Sequence, residues 1–204
     1  MEALLRLRRF LEPPSSPRKA SGCELCGAPF EGAHGHVIDL ENRRLLCTCR
    51  PCYLLFAHQG AAGGKLRSVS ERLVRLSDST LSAAQWESLD VPVGVAFFMR
   101  DSRRNRVLAF YPSPAGATES GLPLETWNEM VAANPDLGSL ESDIEALLIW
   151  RGRAETQAWI VPVDACYELV GIVRREWKGF DGGEAWRSIE AFFAGLAERE
   201  RCFA

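Results

Sequence analysis

Five of the seven cysteines fall within one 30-residue stretch, and four of these five form two matched pairs. Cys23 and Cys26 make one C-x2-C pair, and Cys49 and Cys52 make the second. Each pair can form a tight turn, or knuckle, that presents two thiolates. Two knuckles brought together give the tetrahedral set of four sulfurs that structural zinc prefers. The spacing therefore predicts a metal site made of these four cysteines, with Zn²⁺ as the expected ion.

The cysteine spacing does not decide which metal ion binds or which residue is the fourth ligand. A tetrahedral thiolate site also suits a single iron ion, which would make the protein a rubredoxin-like electron carrier. Zinc is preferred because the segment lacks the aromatic-rich surroundings expected of a buried iron site. Cys47 is an alternative to Cys49 as the fourth ligand. His34 and His36 are further candidates, but histidines of a small hairpin are expected to face solvent.

The residues between the two pairs must bring them together. Residues 36–46 predict a β-hairpin with its turn near Asn42, and residues 66–76 predict another strand or two. Gly22 and Gly27 flank the first pair and permit the positive φ that such knuckles use. Residues 53–56 form an apolar patch expected to cover one side of the site. No helix in a βαβ setting is predicted after either pair, which argues against a redox dithiol.

Beyond residue 79 the pattern favours an α+β fold with a mostly antiparallel sheet. Asp164 is expected to cap the helix over 166–177, a segment that also fits a strand, and residues 112–120 are expected to form a loop. The remaining elements are strands over 93–99, 107–111, 144–150 and 159–163, and helices over 83–89, from Pro123 to Asn134, and over 184–199.

Three parts follow from this organisation. Residues 1–20 are expected to hold a short helix, over 1–11, and a Pro/Ser-rich linker. Residues 21–78 form the predicted zinc-ribbon-like metal-binding module, and residues 79–204 the α+β domain.

Few residues outside the cysteine pairs are suited to catalysis, and the protein is predicted not to be an enzyme. No histidine follows His58, so residues 59–204 cannot supply a Ser-His or Cys-His pair. Glu141, Asp143 and Glu145 alternate along a predicted strand and are expected to form a solvated face. Cys166 is expected to be a small buried hydrophobe.

Composition narrows the class of protein. The net charge of −3 divides into +5 for residues 1–75 (12 Lys/Arg, 7 Asp/Glu) and −8 for residues 76–204 (12 Lys/Arg, 20 Asp/Glu). A charge of +5 over residues 1–75 is too mildly basic to indicate nucleic-acid binding. No apolar run is long enough to span a membrane. An odd number of cysteines without a secretory signal favours a cytoplasmic protein over a disulfide-linked one.

Six tryptophans are an unusual load for this length. Most are expected to form an aromatic core. Trp177 and Trp186, which flank a predicted glycine loop, are alternatively a contact surface for a protein partner. Cys202 is expected to lie in a frayed tail.

The sequence resembles an uncharacterised bacterial family of small cytosolic proteins whose genes tend to lie beside those of nickel–iron hydrogenases. The resemblance rests on residues 23–27, 47–56, 91–94, 111–120, 133–135, 161–167, Trp177 and Gly179. It implies an accessory or adaptor role, with a hydrogenase or its maturation machinery as the protein partner. A shared gene neighbourhood is an association, and it does not indicate what chemistry the protein performs.

Overall fold

Short apolar segments form the strands of two antiparallel sheets. A computed structural model describes residues 22–30, 32–76, 86–87, 91, 94–120, 124–152, 155–177 and 183–203. The predicted helix over 1–11 and the linker that follows it lie outside the described residues. Of the predicted helix over 83–89, Trp86 and Glu87 are described, and both are helical.

Besides the helical residues Trp86 and Glu87, the described residues contain nine strands and four α-helices. In chain order these are β1 Gly35–Asp39, β2 Arg44–Thr48, α1 Arg50–Leu55, β3 Leu66–Ser68, β4 Val74–Leu76, β5 Val95–Asp101, β6 Arg106–Ser113, β7 Gly116–Ser120, α2 Leu124–Ala133, β8 Glu145–Arg151, β9 Thr156–Pro162, α3 Val163–Glu176 and α4 Gly183–Phe203.

The smaller sheet has the strand order β2-β1-β3 and contains the predicted hairpin. Its register pairs Val37 with Leu46 and Asp39 with Arg44, so the turn falls at residues 40–43 as expected. The Asp39 carboxylate accepts hydrogen bonds from the backbone N–H groups of Glu41 and Asn42 and closes the turn. The hairpin and the two strands predicted within 66–76 are confirmed.

The larger sheet has the strand order β4-β9-β8-β5-β6-β7, and all its pairings are antiparallel. The predicted α+β class with an antiparallel sheet is therefore confirmed. Strand β4 lies inside the 21–78 module proposed from the sequence, yet it pairs with β9 of the larger sheet. The division into domains stays a prediction.

Helices cover both faces of the larger sheet. On one face, Phe97 and Leu148 pack with residues of α3 and α4, including Phe193. On the other face, Phe98 and Ile149 pack with residues of α2. The central strands are therefore buried on both sides, which explains why they read as continuous apolar runs rather than as alternating patterns.

The tryptophans mostly fill this core. Trp86, Trp127, Trp150 and Trp159 are buried. Trp177 and Trp186 are half-buried and pack against the cluster on the α3/α4 face.

Three sequence predictions on this domain are wrong. Residues 116–120 are not a loop but strand β7, which forms a hairpin with β6. Asp164 lies in the first turn of α3 and does not cap it, because the helix already begins at Val163 and Pro162 is its N-cap. Cys202 lies within helix α4 rather than in a frayed tail.

Two acidic residues at the start of β8 and just before it also differ from expectation. Asp143 and Glu145 are buried, at 6% and 1% exposure, rather than part of a solvated face. The Glu145 carboxylate accepts hydrogen bonds from the Ser70 hydroxyl at 2.9 Å and from the Glu141 backbone N–H at 2.9 Å. It also pairs with Arg72 at 3.2 Å. Glu145 therefore fastens the segment between β3 and β4 to the start of β8.

Replacing Glu145 with alanine is expected to lower the free energy of unfolding by about 1–3 kcal/mol, because buried donors lose their acceptor. Glu141→Ala is the matched control. Its half-exposed carboxylate pairs with Arg67 at 2.8 Å, so its loss is expected to cost about 1 kcal/mol at most. Urea denaturation of both variants measures the difference, and equal losses would contradict the bridging role of Glu145.

Cys166 is fully buried in α3, as expected of a small hydrophobe. Burial raises the pKa of its thiol well above the usual range. The thiol therefore stays protonated at mildly alkaline pH, and it is expected to resist iodoacetamide until the protein unfolds. Peptide mass spectrometry after alkylation, with and without urea, measures this. Rapid labelling of Cys166 in the native protein would contradict the burial.

Candidate metal centre

The first cysteine pair forms a tight turn closed by its own backbone. The Cys23 N–H donates to the Ala28 carbonyl at 2.7 Å, and the Gly27 N–H donates to the Cys23 carbonyl at 2.8 Å. Gly27 has a φ of 76°, as predicted for this position. Gly22 does not have a positive φ. A Cβ atom there would lie 2.9 Å from the Ala28 carbonyl oxygen, so the close approach of the backbone is what requires glycine.

The second pair lies at the start of a short helix. Cys49 is the N-cap residue of α1, and Cys52 is a buried residue within the same helix. The Tyr53 N–H donates to the Cys49 carbonyl at 2.9 Å. The second pair therefore begins a helix, but that helix lies between strands of an antiparallel sheet and not in a βαβ unit.

Glu24 fastens the first knuckle to the hairpin. Its backbone N–H donates to the Cys47 carbonyl at 2.9 Å, and its carboxylate accepts from the Cys47 N–H at 2.7 Å. Arg44 lies 3.4 Å from the same carboxylate. Because β2 leads directly into the second knuckle, this contact holds the two cysteine pairs against each other. Glu24 was not among the residues predicted to take part in the site.

The structure brings the four predicted cysteines into one group, which we call the tetracysteine cluster. The Sγ atoms of Cys23, Cys26, Cys49 and Cys52 all lie within 4.8 Å of one another. The Sγ atoms of Cys26 and Cys49 are 3.7 Å apart.

This spacing suits a metal ion. Four sulfurs about 2.3 Å from a central Zn²⁺ form a tetrahedron with edges of about 3.8 Å. A disulfide would require about 2.05 Å, and the cysteines of the cluster are free. The donor set is entirely soft thiolate, which suits zinc and single iron alike. The tetracysteine cluster can therefore hold a metal ion.

Burial and hydrogen bonding affect the four thiols unequally. Burial raises the pKa of the Cys52 thiol to about 12, and its contacts with the other thiols act in the same direction. At Cys23 burial also acts upward, but backbone hydrogen bonds, led by that of Cys49, lower the pKa to about 6. Amides aimed at a sulfur favour its thiolate form, which is the form that binds a metal.

Cys47 does not belong to the tetracysteine cluster. Its side chain instead groups with those of His34 and His36, whose ligand atoms lie within 4.8 Å of it and of each other. Of these histidines, His34 is exposed as expected, whereas His36 is only partly exposed and contacts Asp164.

The residues of the apolar patch after the second cysteine pair differ in burial. Tyr53 is buried, and its hydroxyl donates to the Val69 carbonyl at 2.8 Å. Leu54 and Leu55 are 55% and 67% exposed, so both side chains are largely in contact with solvent.

Fold and site together define an α+β protein with a four-cysteine cluster able to hold a metal ion. The chain matches the family described as "Family of unknown function (DUF5947)" over residues 22–200, and it belongs to that family. No curated protein and no solved structure matches the chain. The expectation of an uncharacterised family is thus confirmed. Among the described helices, none has the length and apolarity needed to cross a membrane.

Proposed function

We propose that this is a non-catalytic accessory protein in which a structural Zn²⁺ is held by Cys23, Cys26, Cys49 and Cys52. The observation that carries this proposal is the grouping of the four Sγ atoms within 4.8 Å. A structural ion of this kind supplies a rigid crosslink between the two knuckles. The proposal places the protein in the cytoplasm, where thiols stay reduced.

The smaller sheet is expected to depend on such a crosslink for its stability. The smaller sheet and the adjoining helix α1 have few buried apolar residues, among them Val37, Ile38, Leu46 and Tyr53. A core of this size contributes little stability, and small domains commonly rely on a metal ion instead. Binding of the ion would then contribute directly to the folding of the module.

An exposed apolar pair supports the binding of a protein partner. Leu54 and Leu55 lie on α1, next to the second knuckle, and are among the most exposed large hydrophobic residues described. Apolar side chains held beside a rigid centre are suited to burial against another protein. The half-buried Trp177 and Trp186 are the second candidate surface. The partner proposed from the family resemblance is a hydrogenase or its maturation machinery.

Elemental analysis tests the metal. Tag-free protein taken through gel filtration, with no metal added, is expected to be colourless and to retain one zinc per chain. A red protein that contains iron and is bleached by dithionite would contradict the zinc proposal and support the electron carrier.

A pull-down from the native host tests the partner. Wild-type protein is expected to capture a hydrogenase subunit or a maturation factor, and Leu55→Asp is expected to lose it. Trp177→Ala serves as the matched variant on the other candidate surface. Loss only in Trp177→Ala would place the contact there, and the absence of any such partner from the wild-type sample would contradict the adaptor role.

A further inference from the structure

Three potential ligands lie together on one face of the β1–β2 hairpin, outside the tetracysteine cluster. His36 pairs directly with Cys47 across the two strands, and His34 precedes His36 by two residues. Directly paired residues project their side chains from the same face of a sheet, and His34, just before the first residue of β1, joins them through its ring contact with His36. Their ligand atoms all lie within 4.8 Å of one another. We call these three residues the His–Cys cluster.

Asp164 fixes the orientation of His36. The Nδ1 atom of His36 lies 2.7 Å from the Oδ2 atom of Asp164, in the first turn of α3. A carboxylate bound to one imidazole nitrogen leaves the other nitrogen as the ligand atom. This arrangement is common behind metal-bound histidines, where it sets the tautomer and makes the ligand more basic.

The second histidine is held by ring contacts. The ring of His34 stacks on that of Phe30, with centroids 4.5 Å apart and planes at 16°. The same ring meets His36 edge to face at 5.0 Å. Both imidazoles are therefore positioned before any ligand binds, which reduces the entropy lost on binding.

We propose that His34, His36 and Cys47 form a second metal site, for a borderline divalent cation of the Zn²⁺ class, with Asp164 as its positioning residue. Two imidazoles and one thiolate are the ligand types that zinc accepts. Three protein ligands leave one tetrahedral position for water or another small ligand, as in zinc sites that do chemistry or exchange their ion. The closed set of four thiolates in the tetracysteine cluster lacks such a position.

A cavity beside the His–Cys cluster has space for a fourth ligand. His34, His36 and Asp164 line a cavity of about 630 Å³, together with Arg72 and Arg199. His34 is exposed, and His36 and Cys47 are half-buried, so an ion can enter from solvent. We therefore expect this second ion to exchange readily and to be lost during purification, unlike the ion of the tetracysteine cluster.

Titration with ZnCl₂ alone tests the site, using reduced, tag-free protein in equilibrium dialysis with elemental analysis. Wild-type protein is expected to bind two Zn²⁺ per chain, one tightly and one more weakly. Cys47→Ser and His34→Ala are each expected to keep the first ion and lose the second. His58→Ala is the matched control, because the third histidine lies outside the cluster, and it is expected to keep both.

The role of Asp164 is tested by affinity rather than by stoichiometry. Asp164→Asn is expected to lower the affinity for the second ion by about 10–100-fold, as measured with a competing chromophoric chelator. Asp164→Glu is expected to restore part of that loss, and binding of the first ion is expected to be unchanged in both variants.

Two results would overturn the proposal. One is a single Zn²⁺ per wild-type chain even at saturation, and the other is a second ion retained by both Cys47→Ser and His34→Ala. Cys47→Ser separates this proposal from the structural-zinc proposal, because it is expected to lose the weaker ion and to keep the tight one. If wild-type protein lacks the tight ion but binds the weaker one through the His–Cys cluster, the structural role fails and the second site stands.

Discussion

Serine in place of Cys49 is expected to abolish retention of the tightly bound metal ion, and Cys26→Ser is expected to do the same. Their Sγ atoms lie 3.7 Å apart within the tetracysteine cluster, so loss of either one breaks the four-sulfur set. Structural zinc contributes about 10–16 kcal/mol of apparent binding free energy in small zinc-dependent peptides at neutral pH. Elemental analysis after gel filtration measures retention directly.

Cys47→Ser is the matched control for this prediction. Its sulfur groups with His34 and His36 rather than with the tetracysteine cluster, so the tight ion is expected to remain. Retention of that ion in Cys49→Ser together with its loss in Cys47→Ser would show that Cys47 is the fourth ligand.

Removal of the ion is expected to affect the two sheets unequally. The larger sheet is covered on both faces by its own clusters of apolar residues, which come mostly from residue 95 onward. The smaller sheet has little core of its own. A strong chelator is therefore expected to speed the exchange of the backbone amide hydrogens in β1 and β2 first, while those in β5 and β8 stay protected.

The second large effect is expected in the core of the larger sheet. Phe98 lies on the central strand β5, is fully buried, and has its ring 6.3 Å from that of Trp127. Phe98→Ala is expected to lower the free energy of unfolding by about 3–5 kcal/mol, because it leaves a cavity between the sheet and α2. Urea denaturation followed by tryptophan fluorescence measures the loss.

Phe98→Leu provides the control for this substitution. It keeps most of the apolar volume, so it is expected to cost clearly less than the alanine variant. A loss below about 1 kcal/mol in Phe98→Ala would contradict the packing described for this face of the sheet.

Much of the fold could be predicted from local patterns. The hairpin over residues 36–46 and the final helix, Gly183–Phe203, both follow from hydrophobic periodicity. The strands β5 and β8 were recognisable as apolar runs, since both faces are covered by helices. Strand β7 was missed because residues 112–120 contain proline and glycine. Pro112 lies near the end of β6, beyond the residues that pair with β5, Pro114 lies in the turn, and Gly116 begins the edge strand β7.

Local patterns failed where the partner of a residue is distant in sequence. Glu145 is buried because Ser70 and Arg72 come to it from about 75 residues away. Asp164 contacts His36 across 128 residues instead of capping its own helix. A single sequence does not indicate such pairs, because the charges and hydroxyls involved are of types that usually face solvent.

The sequence by itself determined the four cysteines that come together, because a C-x2-C spacing forms a knuckle through contacts within a few residues. It left open how Cys47 and the histidines are used. That was decided only by the tertiary structure, in which β2 ends at Thr48 and the chain turns into α1 at Cys49. This change of direction sends the sulfurs of Cys47 and Cys49 to two different clusters, although an extended strand would have placed both side chains on the same face.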